Sequence, residues 1–225
     1  MKDDKTGNPC FFQASWLRLH LGKRLTSSLP GHIAHHELAP PGSGRQEDTA
    51  MPAKTARESA VLIALYPSAD SWALCLIKRP EYDGVHSGQI AFPGGGKEKA
   101  DKTIIETALR EAHEEVNINP LSTEILGTLS PIYVPPSNYN ITPVVGMLRK
   151  KPHFIPDPTE VAEIREIPLN ELIGKNIPFT RKTFFHGTEK EISAPCFSIK
   201  ETVIWGATAM ILNEFIQIMK TIVHS

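Results

Sequence analysis

The chain has 225 residues, of which 40% are hydrophobic and 22% charged, a composition typical of one globular domain with or without an extra terminal element. Its 24 lysines and arginines nearly balance its 25 aspartates and glutamates, so the formal net charge is -1. This balance argues against broad electrostatic attraction to nucleic acid or to an acidic membrane as the main activity.

Cysteine content and apolar runs bear on the compartment in which the protein works. The three cysteines stand far apart, without a C-x-x-C pair, and are Cys10, Cys75 and Cys196. This pattern argues against a structural zinc site or a disulfide framework and favours a reducing cytoplasm. No apolar run approaches the roughly 18–20 residues of a membrane helix, and the N-terminal segment lacks the apolar core of a signal peptide. We therefore expect a cytoplasmic protein.

An amphipathic segment precedes the main domain and predicts a helix within residues 11–29. Its apolar positions recur at helical spacing and are Leu17, Leu21 and Leu25. Basic residues beside them leave two interpretations, a helix packed on the domain or a helix on a membrane surface. Residues 39–56 are rich in proline, glycine and polar residues and predict a linker. We assign residues 1–56 to an N-terminal helical extension with its linker, and residues 57–225 to the main domain.

The main domain alternates irregularly between strand-like and helix-like segments. Short apolar runs predict strands at 60–66, 72–77, 124–129, 141–148 and 160–167, the first two as a hairpin. Residues 84–96 predict a Gly-rich loop, and helical spacing of apolar residues predicts helices at 104–116 and 202–221. This alternation favours an α/β or α+β layered domain.

The helix predicted at 104–116 contains clustered glutamates. Thr103 followed by Glu106 is a capping-box pattern that places the start of the helix. The apolar residues recur on one stripe, which we expect to be buried, and are Ile105, Leu109, Ala112 and Val116. Glu111, Glu114 and Glu115 lie off this stripe at i, i+3 and i+4, so we expect them to be neighbours on one exposed face.

Neighbouring carboxylates repel one another, and a bound cation relieves the repulsion. Mg²⁺ and Mn²⁺ prefer oxygen ligands and suit such a cluster. Arg110 can pair with Glu106 or Glu114 and hold a carboxylate in place. The glycines at 94–96 bring backbone groups close to the same ion and to a phosphate. The alternative is a solvated acidic face that Arg110 balances.

Residues 92–118 resemble the Nudix box, the loop-helix-loop signature G-x5-E-x7-R-E-U-x-E-E-x-G-U of Nudix hydrolases, in which U is aliphatic. Residues 110–118, Arg-Glu-Ala-His-Glu-Glu-Val-Asn-Ile, match its second half. With Gly95 as the first glycine, the interval is one residue longer than usual and Asp101 takes the first acidic position. Asn117 replaces the final glycine, a mild change because asparagine also adopts the left-handed conformation that ends helices.

The residues before the box are similar to those of coenzyme A pyrophosphatases, a Nudix subfamily. The similar residues are 86–95, His-Ser-Gly-Gln-Ile-Ala-Phe-Pro-Gly-Gly, with Lys78 and Arg79 upstream. The subfamily commonly has the longer box with aspartate at the position of Asp101, and it often has arginine where this chain has Gly84. The resemblance implies an α/β/α sandwich with a mixed β-sheet. It also implies hydrolysis of coenzyme A or its thioesters to 3′,5′-ADP and 4′-phosphopantetheine or its acyl form.

The resemblance further implies a metal site and the residues that form it. Glu111 and Glu115 would be the principal ligands of Mg²⁺ or Mn²⁺, and Glu114 a further ligand or the general base. The carbonyl of Gly95 or Gly96 would complete the coordination. We therefore expect Glu114, Glu115 and Arg110 to be catalytic, with Arg110 orienting the carboxylates.

Substrate contacts are expected from residues outside the box. Lys78 and Arg79 are cationic candidates for the 3′-phosphate, with ordinary solvated side chains as the alternative. His86 either contacts phosphate or caps its own loop. Residues 133–139 predict a proline-stiffened loop that either forms a wall of the substrate pocket or has only a structural role. In the first case, Tyr139 offers a ring on which adenine can stack.

Two other functions stay open. One is a Nudix hydrolase of ADP-ribose, a dinucleotide or an oxidised nucleotide, which the box alone does not distinguish from a coenzyme A hydrolase. The other is a non-catalytic nucleotide-sensing module, although such modules usually lose carboxylates that are all present here. In each case we expect a small nucleotide as the partner, rather than nucleic acid or a membrane. Because Nudix enzymes are often dimers, we also expect a homodimer.

Overall fold

The computed structural model describes residues 13–40, 55–69, 71–81, 87–174, 179–184, 191–199 and 201–223. Most of the predicted linker, together with Gly84 and His86, lies outside the described residues. The helices are α1 (Ala14–Leu25), α2 (His32–Glu37), α3 (Ile104–Val116), α4 (Leu169–Gly174) and α5 (Gly206–Val223). The strands are β1 (Arg57–Pro67), β2 (Trp72–Lys78), β3 (Ile90–Ala91), β4 (Gly94–Gly96), β5 (Thr123–Thr128), β6 (Ile132–Val134), β7 (Tyr139–Leu148), β8 (Glu163–Pro168), β9 (Phe179–Phe184), β10 (Glu191–Ile199) and β11 (Thr202–Trp205).

Among the described residues, eight strands form one mixed sheet with β1 near its centre. The order is β3-β2-β1-β7-β5, and β4, β6 and β8 pair with β1, β7 and β2 respectively. β1 runs parallel to β7 and antiparallel to both β2 and β4. The antiparallel pairing of β1 with β2 confirms the predicted hairpin. A second, antiparallel sheet has the order β11-β10-β9.

The alternation of side chains along β1 and β2 divides the core between the two faces of the main sheet. Ile63 of β1 and Leu74 of β2 belong to the core cluster that also contains residues of α1 and α5. Leu62 and Cys75, one position away, belong to the cluster on the α3 side. The helices therefore cover both faces of a mixed sheet, which confirms the predicted α/β/α sandwich.

The N-terminal helices pack on the same core as the rest of the domain. The leucines at helical spacing in α1 are buried in the cluster with α5, as the first interpretation of this segment predicts. Because protein covers the apolar face of α1, this face is not available to a membrane surface. Within the described ranges, no helix is both long and apolar enough to cross a lipid bilayer.

Several element assignments made from the sequence are wrong, including residues 90–91, which form strand β3 within the predicted loop. Residues 94–96 form strand β4 instead of a loop, because the small glycines allow close approach: a Cβ on Gly94 would lie 2.2 Å from the carbonyl oxygen of Ala60. Residues 202–205 form strand β11, and helix α5 begins only at Gly206. The Thr-Val-Ile run of β11 is β-branched and pairs with β10, and a short apolar run does not by itself distinguish strand from helix.

Candidate active site

The backbone of β4 alternates its hydrogen bonds between β1 and α3. The register makes Ala60 and Gly95 a hydrogen-bonded pair, so the backbone groups of Gly94 and Gly96 on either side point away from β1. The N–H of Gly94 donates to Glu115 Oε2 at 2.8 Å, and the carbonyl of Gly96 accepts from Arg110 Nη2 at 3.0 Å. β4 thereby fixes two side chains of α3 against the sheet.

Helix α3 begins and ends where its sequence predicts. Thr103 Oγ1 accepts from the N–H of Glu106 at 3.2 Å, and the Glu106 carboxylate accepts from the N–H of Lys102 at 2.7 Å. At the other end, Asn117 adopts the left-handed conformation with φ of 60°. These two ends set the rotation of the helix about its axis and therefore the direction of its glutamates.

The prediction that the three glutamates share one exposed face is wrong. The side chain of Glu114 is 57% exposed, whereas that of Glu111 is 13% exposed and Glu115 as a whole is only 2% exposed. The reason is that β4 and a later turn cover this side of α3. The buried stripe is accordingly shifted: Ala112 and Val116 are buried as expected, whereas Ile105 and Leu109 are only partly buried.

Glu111 and Glu115 meet a third carboxylate, that of Glu160. One carboxylate oxygen from each of these residues lies within 4.8 Å of the others. Glu160 follows a turn in which Asp157 Oδ1 accepts from Thr159, and the N–H of Glu160 donates to the Asp157 carbonyl at 3.2 Å. Sequence reasoning missed Glu160 because it placed residue 160 in a strand that begins only at Glu163. The Asp-Pro pair at 157–158 is the turn signal that could have revealed it.

The electrostatics of this cluster favour a cation. Burial, helped by the negative charges of Glu111 and Glu160, raises the pKa of Glu115 to about 8, although the Gly94 hydrogen bond and the charge of Arg79 act in the opposite direction. Burial also raises the pKa of Glu111, despite its contact with Arg110. A hard divalent ion bound by carboxylate oxygens would remove this repulsion, so the donor set fits Mg²⁺ or Mn²⁺.

Arg110 connects the carboxylates to the loop before α3. Its guanidinium donates to Asp101 through Nε at 3.1 Å and Nη2 at 3.0 Å. Its Nη1 lies 2.8 Å from Glu114 Oε2 and 3.0 Å from Glu111 Oε1. The hydrogen bonds from Arg110 lower the pKa of Asp101 to about 2, which keeps this buried carboxylate ionised. Asp101, at the first acidic position of the box, therefore orients Arg110 and lies outside the carboxylate cluster.

A cavity of about 600 Å³ lies beside the carboxylate cluster. Its polar lining includes Glu111, Glu115, Glu160, Arg79 and Gly95. Its apolar lining includes Ile90, Phe92, Val134, Pro135, Pro136, Ile141, Trp205 and Ile211. The cavity therefore combines an anionic region, whose carboxylates could hold a metal ion, with an apolar wall.

The other predicted site residues have different surroundings. Tyr139 lines the cavity, and the Arg57 guanidinium lies over its ring, 4.1 Å from the centroid. Lys78 pairs with Glu81 at 3.4 Å and is not among the described residues that line the cavity. Residues 135–137, expected as a proline-stiffened loop, form a 3₁₀ turn on the cavity wall. Residues 205–208 also line the cavity.

Comparison with known proteins agrees with this arrangement. The family model described as the NUDIX domain matches residues 56–186. A protein of Pectobacterium atrosepticum named uncharacterized Nudix hydrolase NudL is 36% identical over 169 residues, covering 72% of this chain and 83% of that protein. A protein of the same name from Photorhabdus laumondii is 35% identical over 161 residues, covering 72% of this chain and 84% of that protein.

Solved structures with the same family names are also similar. The MutT/nudix family protein of Enterococcus faecalis is 15% identical with a TM-score of 0.49, covering 92% of this chain and 74% of that chain. The NUDIX domain of Shewanella oneidensis NrtR, solved with ADP ribose, is 16% identical with a TM-score of 0.43, covering 59% of this chain and 85% of that chain. The family match and the sequence identity to the NudL proteins show that this chain belongs to the Nudix hydrolases, pyrophosphohydrolases that act on phosphorus-containing anhydrides.

Proposed function

We propose that this Nudix hydrolase cleaves the diphosphate bond of coenzyme A or of its thioesters. The products would be 3′,5′-ADP and 4′-phosphopantetheine or its acyl form. The observation that carries the proposal is a cavity whose lining contains both the three clustered carboxylates and an apolar wall. A diphosphate needs its charge neutralised, and the methylene and gem-dimethyl groups of a pantetheine arm pack on an apolar wall whose few polar groups can meet its amides. The resemblance of residues 86–95 to coenzyme A pyrophosphatases supports the same substrate.

The metal site of the proposed enzyme uses carboxylates from two parts of the chain. Glu111, Glu115 and Glu160 would hold Mg²⁺ or Mn²⁺. When bound, the metal neutralises the diphosphate and lowers the pKa of a water molecule that attacks phosphorus. Glu114, which contacts Arg110, is proposed as a further ligand or the general base. Gly95, expected as a backbone ligand, is left out of this metal site because the strand register pairs its carbonyl with the N–H of Ala60.

The remaining roles fall to residues around the cavity. Arg79 contributes positive charge near Glu115 and lines the cavity, so we assign it to a phosphate group of the substrate. Arg110 holds Glu111 and Glu114 in place through its Nη1. Tyr139 presents an aromatic ring at the cavity wall, on which a nucleobase can stack. Lys78 and His86 stay candidates for phosphate contacts.

Product analysis with several substrates tests the proposal. Purified protein is incubated with Mg²⁺ or Mn²⁺ and, separately, with coenzyme A, ADP-ribose, a reduced dinucleotide and an oxidised nucleotide. We expect the wild type to release 3′,5′-ADP from coenzyme A and the Glu115→Gln variant to release none. Turnover of another substrate with coenzyme A left intact would keep the Nudix mechanism and discard the coenzyme A assignment. Nucleotide binding without any turnover, in the presence of metal, would favour the sensing module.

The cysteine pattern bears on the compartment in which the protein works. We place the reaction in a reducing cytoplasm, supported by the low cysteine content and the lack of a C-x-x-C pair. Fractionation of cells that express the protein at its natural level tests this placement, and recovery with a membrane or secreted fraction would contradict it.

A further inference from the structure

The turn that contains Glu160 is bound to the C-terminal end of α3. The last carbonyls of a helix have no partner within the helix and need donors from elsewhere. Here the N–H of Asp157 donates to the Glu115 carbonyl at 2.9 Å, and the N–H of Ile155 donates to the Val116 carbonyl at 3.3 Å. The same helix end that holds Glu115 therefore also fixes the segment that contains Glu160.

Asn117 adds a side-chain bond to this connection. Its φ of 60° is a conformation that glycine adopts more readily than any other residue, and the Nudix box has glycine here. Asparagine accepts this backbone cost, and its Nδ2 donates to the backbone carbonyl of His153 at 3.1 Å. A glycine would satisfy the helix end equally well but could not make this bond. The hydrogen bond from Asn117 to His153 is therefore not needed to terminate the helix.

Glu160 depends on its backbone for its position because its side chain is exposed. The Asp157 carbonyl accepts from the N–H of Glu160 at 3.2 Å and from that of Val161 at 2.8 Å. Asp157 Oδ1 accepts from the N–H of Thr159 at 2.7 Å. Val161 is buried in the core on the α3 side, and the N–H of Ala162 donates to the Lys78 carbonyl. The turn is thus held on both sides of Glu160.

We propose that Asn117 is a positioning residue that, through His153 and the turn at Asp157, holds Glu160 against Glu111 and Glu115. This inference rests on the metal site of the proposed function and is independent of the identity of the substrate. The departure of this chain from the box glycine then has a function in metal binding. Asn117 itself does not touch the metal or the reacting atoms.

Mn²⁺ binding to the full chain tests the proposal without reference to turnover. The free Mn²⁺ signal in electron paramagnetic resonance reports the dissociation constant for the wild type, Asn117→Gly and Asn119→Gly. Asn119 is the matched control, because its Oδ1 accepts from the N–H of Leu121 and makes no bond to residues 153–162. We expect Asn117→Gly to weaken Mn²⁺ binding on the order of fivefold, the effect of one lost hydrogen bond, and Asn119→Gly to leave it unchanged.

Thermal unfolding in EDTA separates positioning from folding. Glycine suits the left-handed conformation at 117, so we expect Asn117→Gly to keep or raise the metal-free melting temperature while its Mn²⁺ affinity falls. A second pair of variants tests the turn. Asp157→Ala should weaken Mn²⁺ binding. Asp157→Asn makes the same change in charge but keeps the Oδ1 acceptor, so its Mn²⁺ affinity should be close to that of the wild type.

Two results would overturn the proposal in distinguishable ways. Equal Mn²⁺ affinity of the wild type and Asn117→Gly, with binding abolished in Glu111→Gln, would leave the metal site in place and remove the role of Asn117. Absence of Mn²⁺ binding in the folded wild type would overturn both this inference and the metal site of the proposed function.

Discussion

The imidazole Nε2 of His35 and the carboxylate Oε2 of Glu214 lie 2.9 Å apart, buried in the contact between α2 and α5. The N–H of Gly31 and the hydroxyl of Ser130 also donate to this carboxylate, at 3.0 and 2.7 Å. Burial alone would raise the pKa of Glu214, but the bonds from His35, Ser130 and Gly31 outweigh it and the pKa is lowered. Three separate segments are therefore joined by one ionised side chain.

This cluster predicts an acid-sensitive contribution to stability. Because the pKa of Glu214 is lower in the folded state than in the unfolded chain, its stabilisation is complete above the ordinary glutamate pKa of 4.5 and is lost as the pH falls through the folded value. We expect Glu214→Gln to lower the unfolding free energy at pH 7 by about 1.5–3 kcal/mol. Urea unfolding at pH 7 and near pH 4 should show a smaller difference in unfolding free energy between the two proteins at the lower pH. A difference that grows on acidification would contradict this account.

Replacing Glu115 with glutamine should have opposite effects on the metal-free and metal-bound protein. Glutamine is neutral at every pH, so it removes the free-energy cost of either burying a charged Glu115 next to Glu111 and Glu160 or protonating it, and it can still accept the Gly94 hydrogen bond. We therefore expect the variant to have a higher melting temperature than the wild type in EDTA, and no further rise when Mg²⁺ or Mn²⁺ is added. Removing the hydrogen-bond partner of a metal ligand lowers activity by roughly 10–100-fold, so replacing the ligand itself should lower turnover by more than that. Differential scanning calorimetry with and without metal checks this, and a metal-induced rise equal to that of the wild type would exclude Glu115 as a ligand.

Arg110 should not be replaceable by lysine. Its guanidinium bonds Asp101, Gly96 and Glu114 at the same time, and an ammonium on a flexible chain cannot reproduce this planar geometry. We expect Arg110→Lys to lower kcat by about 10–100-fold, because the carboxylates lose their orientation. Steady-state kinetics at saturating metal test the expectation. Lys102→Arg, a change of similar size at an exposed position, serves as the control. A kcat of Arg110→Lys equal to that of the wild type would refute the expected role of Arg110.

Gly95→Ala should damage the metal site with little effect on stability. A Cβ at this position would lie 2.5 Å from the carboxylate of Glu111, which can move only by leaving the cluster. Because the obstructing atoms are the end of a flexible side chain, we expect the melting temperature in EDTA to change little. Mn²⁺ titration should show weakened binding. Normal Mn²⁺ affinity in this variant would mean that metal binding does not require the Glu111 carboxylate at its observed position.

Tyr139 should contribute to substrate binding through its ring. Stacking of one base on an aromatic side chain is worth about 1–3 kcal/mol, so Tyr139→Leu should raise KM by roughly 5- to 100-fold with little change in kcat. Tyr139→Phe keeps the ring and its contact with Arg57 and should resemble the wild type. A fall in kcat at constant KM in Tyr139→Leu would instead point to a role in the chemical step.

Local patterns in the sequence predicted much of the fold. The strands around Leu62 and Leu74 and the helix after Thr103 are confirmed. The strands depend on short apolar runs, and the helix depends on the spacing of apolar residues and on its capping residue, all within a few positions. The short strands β4 and β11 were not predicted, since their pairing depends on partners elsewhere in the chain. A glycine triplet in particular has no side-chain pattern from which a strand could be inferred.

The candidate site was predictable only in part, for a related reason. Helical periodicity correctly grouped Glu111 and Glu115, but it assigned charged residues to solvent, whereas β4 covers this side of α3. Glu160 reaches the cluster through backbone bonds between the turn at Asp157 and the end of α3. Such bonds form between any residue types, so the Asp-Pro pair marks a turn at 157–158 but nothing in the sequence indicates which helix end the turn contacts.

The contact between α2 and α5 has a consequence for synthesis on the ribosome. Glu37 of α2 accepts from Asn213 and Gln217 of α5, and His35 contacts Glu214, so the partners of α2 are made well over a hundred residues later. At translation rates of about 5–20 residues per second, α5 is synthesised on the order of ten seconds or more after α2. During that interval the apolar residues of the nascent N-terminal segment lack their cover. Molecular chaperones that bind short apolar segments should therefore associate with this chain until α5 has left the exit tunnel.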